Sequence, residues 1–290
     1  MAHKYRLVII AVIYNSHPET LQFVESVSHC FGNEAGVILV DNSPAKPGSS
    51  FTEKILTYDF ITYLYPGKNT GYFHGAQYGL AHYLEKHQSY PEWIMVSNVD
   101  IIFETRGFLD ILHVHETDAD LGIIAPAIVS KKWKTDLNPF LTARIPVQKL
   151  HFLQAVYSNI LIHNGYILIY WGKKIINMLA HRVMPTRKSR YTGSQTIYAP
   201  HGSCMLFNQR YFTKGGTLHH ISFLFGEEIF VAETAQSIGL KVLYLPELKV
   251  IHDEHSSIGN FISGKINGIY RQSLKDIIAY YYNGKQSKDS

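Results

Sequence analysis

The chain has 290 residues, is 46% hydrophobic and carries a formal net charge of +4 at pH 7. That is enough apolar material to bury a full core in one large α/β domain, and too much for an intrinsically disordered chain. Its two cysteines, Cys30 and Cys204, lie far apart and match no metal-ligand spacing, which excludes a disulfide scaffold and a cysteine-rich zinc site and points to a reducing compartment.

In chain order, Arg6 to Ile13 is an apolar run of strand length. It is short and lacks a small-residue cleavage site, so it reads as a first strand and not as a signal peptide. Ser16-His-Pro-Glu19 has capping-box spacing with Pro18 in the first turn, and predicts a helix to about Cys30. Gly36 to Val40 is a second strand, ending in Asp41-Asn-Ser-Pro44. A loop rich in Pro, Gly and Ser precedes a third strand, Ile61 to Tyr65. Gly67-Lys-Asn-Thr-Gly71 then breaks the chain before a helix to about Lys86, on which Gly71, Gly75 and Gly79 share one face. That spacing suits close packing on a sheet or close approach to a ligand.

Trp93 to Ser97 reads as a central strand running into Asn98-Val-Asp100. Ligands collect past the carboxyl ends of such strands in open α/β sheets, although Asp100 taken alone is equally consistent with a residue that turns a loop. Arg106 to Glu116 predicts a helix and Leu121 to Val129 a strand. This alternation implies a Rossmann-like, mostly parallel sheet covered by helices on both faces.

From Lys131 to about Thr196 the alternation fails. Lys131 to Arg190 hold eleven basic residues against one acid, Asp136, a balance of +10 that leaves −6 for the rest of the chain. The segment is also aromatic, with Trp133, Phe140, Phe152, Tyr157, Tyr166, Tyr170 and Trp171. It reads as a helical basic insertion suited to an anionic surface or to covering an acceptor, against the blander readings of a solvated basic surface or a buried hairpin. Phe152 to Trp171 is long enough to span a bilayer, but polar residues from Gln154 to Gly165 are scattered around it, which argues against a membrane span. No recognised nucleic-acid motif accompanies the charge, so nucleic acid is not an expected partner.

The sheet pattern resumes at Tyr198 to Phe207. Gly226-Glu-Glu228 opens a helix from Glu227 to Ile238, where two acids in the first turn also suit the helix dipole. Lys241 to Leu245 and Lys249 to Ile251 are short strands around Pro246, leading to His252-Asp-Glu-His255. Phe261 to Tyr282 predicts a closing helix, followed by a frayed tail.

The ordered set Tyr14-Asn15, Val40-Asp-Asn-Ser43, Asn69-Thr-Gly71, Ser97-Asn-Val-Asp100, His201-Gly-Ser-Cys-Met205, Gly226-Glu-Glu228 and Gly239 through Pro246 to His252 resembles the inverting family 2 nucleotide-sugar glycosyltransferases of GT-A fold. Bacterial rhamnosyltransferase-like members that build surface polysaccharides such as O-antigen and capsule are the most similar. The resemblance implies a single GT-A domain, with a nucleotide-sugar-binding half (1–129), the insertion on the acceptor or membrane side (130–197), an acceptor and catalytic half (198–260) and a C-terminal helix and tail (261–290). It implies that Val12, Tyr14, Asn15, Asp41, Asn69, Gly71 and Asn98 bind the nucleotide-sugar, with Asp41 accepting from the pyrimidine ring. It further implies that Asp100 holds Mg²⁺ or Mn²⁺ with His252 as second ligand, and that Glu228, or else Glu227, is the catalytic base. His74, His201 and His255 are further candidates to line the site.

Asn98 stands where many members have the first acid of Asp-x-Asp, Glu228 where an Asp is common, and Glu233-Thr234 near a usual Arg. The expected partners are a nucleoside-diphosphate sugar and a glycan or lipid-diphosphate-linked acceptor, in the cytoplasm or on the inner face of the membrane. A GT-A module that binds nucleotide or glycan without turnover is the alternative.

Overall fold

The computed structural model describes residues 5–159, 161–165, 168, 193–254 and 264–283. A nine-stranded sheet runs through it, in the order β3 (Ile61–Leu64), β2 (Ala35–Asp41), β1 (Leu7–Ile13), β4 (Trp93–Asn98), β8 (Cys204–Asn208), β6 (Leu121–Ser130), β9 (Lys241–His252) and β5 (Ile101–Phe103), with β7 (Gln195–Ile197) also paired to β9. Six of the nine run the same way; β5, β7 and β8 are antiparallel to their neighbours. The mostly parallel sheet expected from the alternation is therefore present.

Strand alternation sorts β1 between two cores. Leu7, Ile9, Ala11 and Ile13 face α1 (His17–Phe31), α2 (Ser49–Ile55) and α4 (Phe108–Val114), through Phe23, Val27, Ile55, Phe108 and Leu112. Val8 and Ile10 face the other side. There α3 (Tyr72–His87), α5 (Val147–Val156), α6 (Gln209–Thr213), α7 (Glu227–Ser237) and α8 (Gly264–Ile277) supply Phe73, Leu80, Leu150, Tyr211, Phe230 and Ile277. Burial on both faces explains why β1, β2 and β4 are continuous apolar runs and not alternating ones.

The glycine face of α3 meets the sheet. A Cβ on Gly79 would lie 2.8 Å from Ile10 Cγ2 and 3.0 Å from Val40 Cγ2, and one on Gly75 would lie 2.9 Å from Asn42 Nδ2. Gly71 has φ +90° and a Cβ there would run into the Phe223 carbonyl, so both conformation and space require glycine.

Several local expectations are corrected. Ser16 is the N-cap of α1 but forms no side-chain cap; its hydroxyl donates to the Tyr14 carbonyl, so the capping box is not made. The Pro/Gly/Ser-rich loop contains α2, because Ser49 to Ile55 buries Ile55 against the α1 side. Strand β5, absent from the sequence reading, forms because Ile101–Phe103 pair antiparallel with Val250–His252. The two short strands around Pro246 are one strand, β9, whose pairing with β6 skips from Leu245 to Lys249 as a bulge that accommodates the proline. The closing helix ends in a π-helical turn, Ile278–Asn283.

The insertion is partly stitched into the domain, through β7 and through bridges from Val129 to Asp136 and from Leu141 to Ala199. Among the described residues no helix is long and apolar enough to cross a membrane. Tyr166, Tyr170, Trp171, Phe261 and His255 lie outside the described residues.

Adding a methyl at Gly79 brings a helix-propensity gain of up to about 1 kcal/mol but overpacks the α3–sheet contact, at about 1–3 kcal/mol. Gly79→Ala is therefore expected to lower stability in urea unfolding. Gly268→Ala, on α8 where a Cβ meets nothing within 4 Å, should instead raise it by up to about 1 kcal/mol.

Candidate active site

The sheet topology gathers the chemistry-bearing residues at one edge. Parallel pairing places Val12 beside Asn98 and Val40, and Ile13 beside Asp41, so β1, β2 and β4 end at one level. The antiparallel strands complete the edge, because β8 begins where β4 ends and β5 begins where β9 ends. The β4–β8 ladder continues past the strands with the Asn98 N–H donating to the Ser203 carbonyl at 2.9 Å. The Asp253 N–H donates to the Asp100 carbonyl at 2.9 Å.

Past β1, β2 and β3 the strand-end loops are tied to one another. The Asn15 N–H, at a left-handed φ of +54°, donates to Ser43 Oγ at 2.9 Å. Asn42 Nδ2 donates to the Gly71 carbonyl at 2.8 Å, Thr70 Oγ1 donates to Asn42 Oδ1 at 3.0 Å, and the Gly71 N–H donates to Asn69 Oδ1 at 2.9 Å. Tyr14 is 47% exposed beside this network, while the Val12 side chain packs on α3 near Gly75.

Asp41 is fully buried. Its carboxylate accepts from Tyr63 Oη at 2.8 Å and from the Ser43 N–H at 2.9 Å, and lies 3.0 Å from His17 Nε2. Burial, with the bond to Asp41 second, holds the Tyr63 phenol far above its usual range. His17, inside the capping-box run, and Tyr63, in the third strand, are not legible as site residues in the sequence, since the fold alone brings them to Asp41.

Asp100 and His252 meet as expected, with Nε2 3.2 Å from Oδ2. Burial pulls the His252 imidazolium down, but the hydrogen bond and charge of Asp100, with Glu254 and Asp253, outweigh it and hold the pKa above its ordinary value. Asp100 Oδ1 and His252 Nδ1 are both buried without a hydrogen-bond partner. An orphaned carboxylate oxygen beside an imidazole nitrogen fits the donor preferences of Mn²⁺, and the oxygen fits Mg²⁺. Among the described residues no group of three or more His, Cys, Asp and Glu is arranged as a metal cage.

His201, from the β8 entry, has its ring centroid 6.2 Å from that of His252. Its Nδ1 accepts from the Ser203 N–H at 3.2 Å, so the neutral ring carries its proton on Nε2. Burial, helped by His252, pulls its pKa down to about 4. The other histidine candidate, His74, pairs with His219 at 5.2 Å between centroids.

Glu227 and Glu228 open α7 after Gly226, whose φ is +86°. A Cβ on Gly202 would lie 2.7 Å from Glu228 Oε1, so the carboxylate lies directly against the Gly202 backbone. Tyr72 Oη donates to the Gly202 carbonyl at 3.0 Å. Burial pushes the Tyr72 phenol well above its usual range, with the charges of Cys204, Glu227, Asp100 and Glu228 adding to it. Burial, with Glu228 second, pushes Glu227 up to about 8; burial also raises Glu228, against the bonds of backbone N–H groups. Tyr72 follows directly on the Asn69-Thr-Gly71 motif, a position from which it could have been read.

A carboxyl group with a raised folded-state pKa contributes stability that is fully present below the ordinary carboxylate range and is lost as pH rises through its folded value. Melting temperature is therefore expected to fall between about pH 5 and pH 8 more steeply in the wild type than in Glu227→Gln. Parallel melting curves for the two proteins would contradict the buried, protonated state of Glu227.

No family model matches the chain, and no curated protein matches it in sequence. Solved structures do match in fold. GalNAc-T7 with UDP, GalNAc and Mn²⁺ aligns over 97% of this chain and 49% of that one, with a TM-score of 0.62 and 12% identity. S. aureus TarS aligns over 98% and 45%, with 0.52 and 11%. The mannosyltransferase PcManGT from Pyrobaculum calidifontis, in complex with GDP-Man and Mn²⁺, aligns over 88% and 59%, with 0.50 and 12%. The chain spans about half the length of these structures, and at such identities the likeness is one of architecture: the chain has the GT-A fold.

Proposed function

We propose that the protein is an inverting, divalent-metal-dependent glycosyltransferase. In this reading it moves a sugar from a nucleoside-diphosphate sugar to a hydroxyl of a growing or lipid-linked surface polysaccharide. The observation that carries the reading is that Glu228 lies against Gly202, which Tyr72 also bonds, next to the Ser203–Asn98 pairing that leads into the Asp100–His252 pair at the carboxyl edge of a GT-A sheet. Two proteins of the same fold are described with a nucleotide or nucleotide-sugar and Mn²⁺, which supports a donor of that class.

In this reading Tyr14, Asn15, Asp41, Asn69, Gly71 and Asn98, with the backbone at Val12, grip the nucleoside. Asp100 and His252 hold Mg²⁺ or Mn²⁺, which supplies neutralisation of the charge developing on the diphosphate. The Glu228 carboxylate takes the proton of the acceptor hydroxyl as that oxygen bonds to the anomeric carbon from the face opposite the diphosphate. The bond from the anomeric carbon to the diphosphate oxygen breaks, its electron pair leaves with the nucleoside diphosphate, and the anomeric configuration inverts. Glu227, pushed up to about 8, keeps its proton at neutral pH and spares Glu228 a second buried negative charge.

The acceptor side is assigned to the insertion. Its described part exposes Phe152, Leu161, Ile162 and Leu168, each more than half accessible, within the segment of +10 charge. Apolar and basic groups together suit an anionic membrane surface carrying a lipid-diphosphate acceptor, and thus a protein held on the inner face of the cell membrane.

Purified protein with Mn²⁺ is expected to release nucleoside diphosphate from one sugar nucleotide of a donor panel. Asp100→Ala and Glu228→Gln should lower the rate about 10²–10⁴-fold without unfolding the protein. Nucleotide binding by calorimetry with no turnover on any donor and acceptor would identify a binding module instead, and neither binding nor turnover would refute the whole reading. In flotation, the protein should bind anionic liposomes at low salt and dissociate as ionic strength rises. Unchanged binding after neutralising Arg187, Lys188 and Arg190 together would remove the electrostatic basis of the membrane assignment.

A further inference from the structure

The loop Ser222–Gly226 enters α7 in a conformation that its own sequence disfavours. Phe225 has φ +70°, the left-handed region, where a bulky aromatic residue is strained and persists only if its surroundings over-determine it. Here every part of the residue is held. Its N–H donates to Glu227 Oε1 at 3.0 Å. Its carbonyl accepts from Ser273 Oγ at 2.5 Å and lies 3.0 Å from His220 Nε2. Its ring stacks on Tyr270 with centroids 3.5 Å apart and planes 9° from parallel.

Ser273 and Tyr270 both belong to α8, which makes two further contacts with the same loop. Asp276 accepts from Ser222 Oγ at 3.1 Å, and a Cβ on Gly226 would collide with Ile277. The helix is anchored in turn to the insertion. Asn267 Nδ2 donates to the Tyr157 carbonyl at 2.7 Å, and Tyr157 stacks on the other face of the contact, 5.0 Å from Tyr270 between centroids.

We propose that Tyr270 and Ser273 are positioning residues for the acidic pair. By holding the Phe225 peptide in its left-handed turn, they fix the direction in which α7 starts, and hence the place of Glu228 against Gly202 and of Glu227 against the Phe225 N–H. Burial, with Tyr157 second, holds the Tyr270 phenol far above its usual range. The inference rests on the proposed transferase reading for its kinetic consequence only.

The test uses the full chain labelled with ¹³C at the glutamate carboxyls, with the Glu227 signal assigned through Glu227→Gln. The wild type should titrate with a raised pKa for the pair, and Tyr270→Phe, which keeps the stacked ring, should do the same. Tyr270→Ala and Ser273→Ala should bring the pair back toward the ordinary carboxylate range as water reaches it. With a working donor and acceptor, the same two variants should lose kcat about 10- to 100-fold at unchanged donor KM, and their acid-side pH limb should move to lower pH. Circular dichroism and melting curves report the folded fraction. Folded Ser273→Ala and Tyr270→Ala with an unaltered titration would overturn the proposal, as would kcat losses that only follow the folded fraction. A wild type that turns over no donor defeats the transferase reading, while the titration still decides the role of α8.

Discussion

Two carboxylates buried side by side are the constraint around which this site is built. Burial opposes charge on Glu227 and Glu228, and their proximity adds to that cost. Backbone N–H groups at the start of α7 and the positive end of its dipole work the other way. The balance leaves the pair raised but ionisable, which is what a base working near neutral pH requires. Keeping that balance explains features that otherwise look unrelated: a glycine under Glu228, a phenol bonded to that glycine's carbonyl, and a strained peptide whose N–H faces Glu227.

The opposite side of the edge solves a different problem. Three strand-end loops must converge without burying unpaired polar groups, and they do so by bonding to one another through Asn15, Ser43, Asn42, Thr70, Gly71 and Asn69. Asp41 is part of this scaffold, since Tyr63, Ser43 and His17 surround its carboxylate. The glycines of α3 allow the helix to come down onto β1 and β2 closely enough for Asn42 to reach Gly71. By contrast, Asp100 Oδ1 and His252 Nδ1 are buried without a hydrogen-bond partner, Nδ1 lying 3.9 Å from Glu254 Oε1.

The basic segment shows how a charge count mixes two roles. Arg144 is one of its eleven cations, yet it lies on the domain itself, 2.5 Å from Glu233, donating to the Tyr281 carbonyl at 2.8 Å and stacked 4.0 Å over Tyr282. Its single acid, Asp136, accepts from the Ile128 and Asn138 N–H groups and from Tyr244 Oη. Glu233 is therefore the anchor for a cation arriving from the insertion, and part of the positive charge is structural.

The sequence by itself determined the strand and helix alternation of a mostly parallel sheet, the two-sided cores, the glycine face of α3 and the identity of Asp100, His252, Glu227 and Glu228 as residues at element ends. These are legible because apolar periodicity and turn chemistry are local, and because motif order survives without knowledge of contacts. Tertiary structure alone decided the rest. Strand β5 is too short to be read until β9 pairs with it, and β9 reads as two strands until the bulge at Pro246 is seen. The Ser16 box failed because its hydroxyl found the Tyr14 carbonyl instead. Tyr63, Tyr270 and Ser273 became visible only once strands and helices distant in sequence were packed together, since the partners that define them are hydrogen bonds and ring contacts across the fold. Periodicity encodes which face is buried. It does not encode which polar atom on that face meets which other, and that pairing is what turns two ordinary glutamates into a tuned pair.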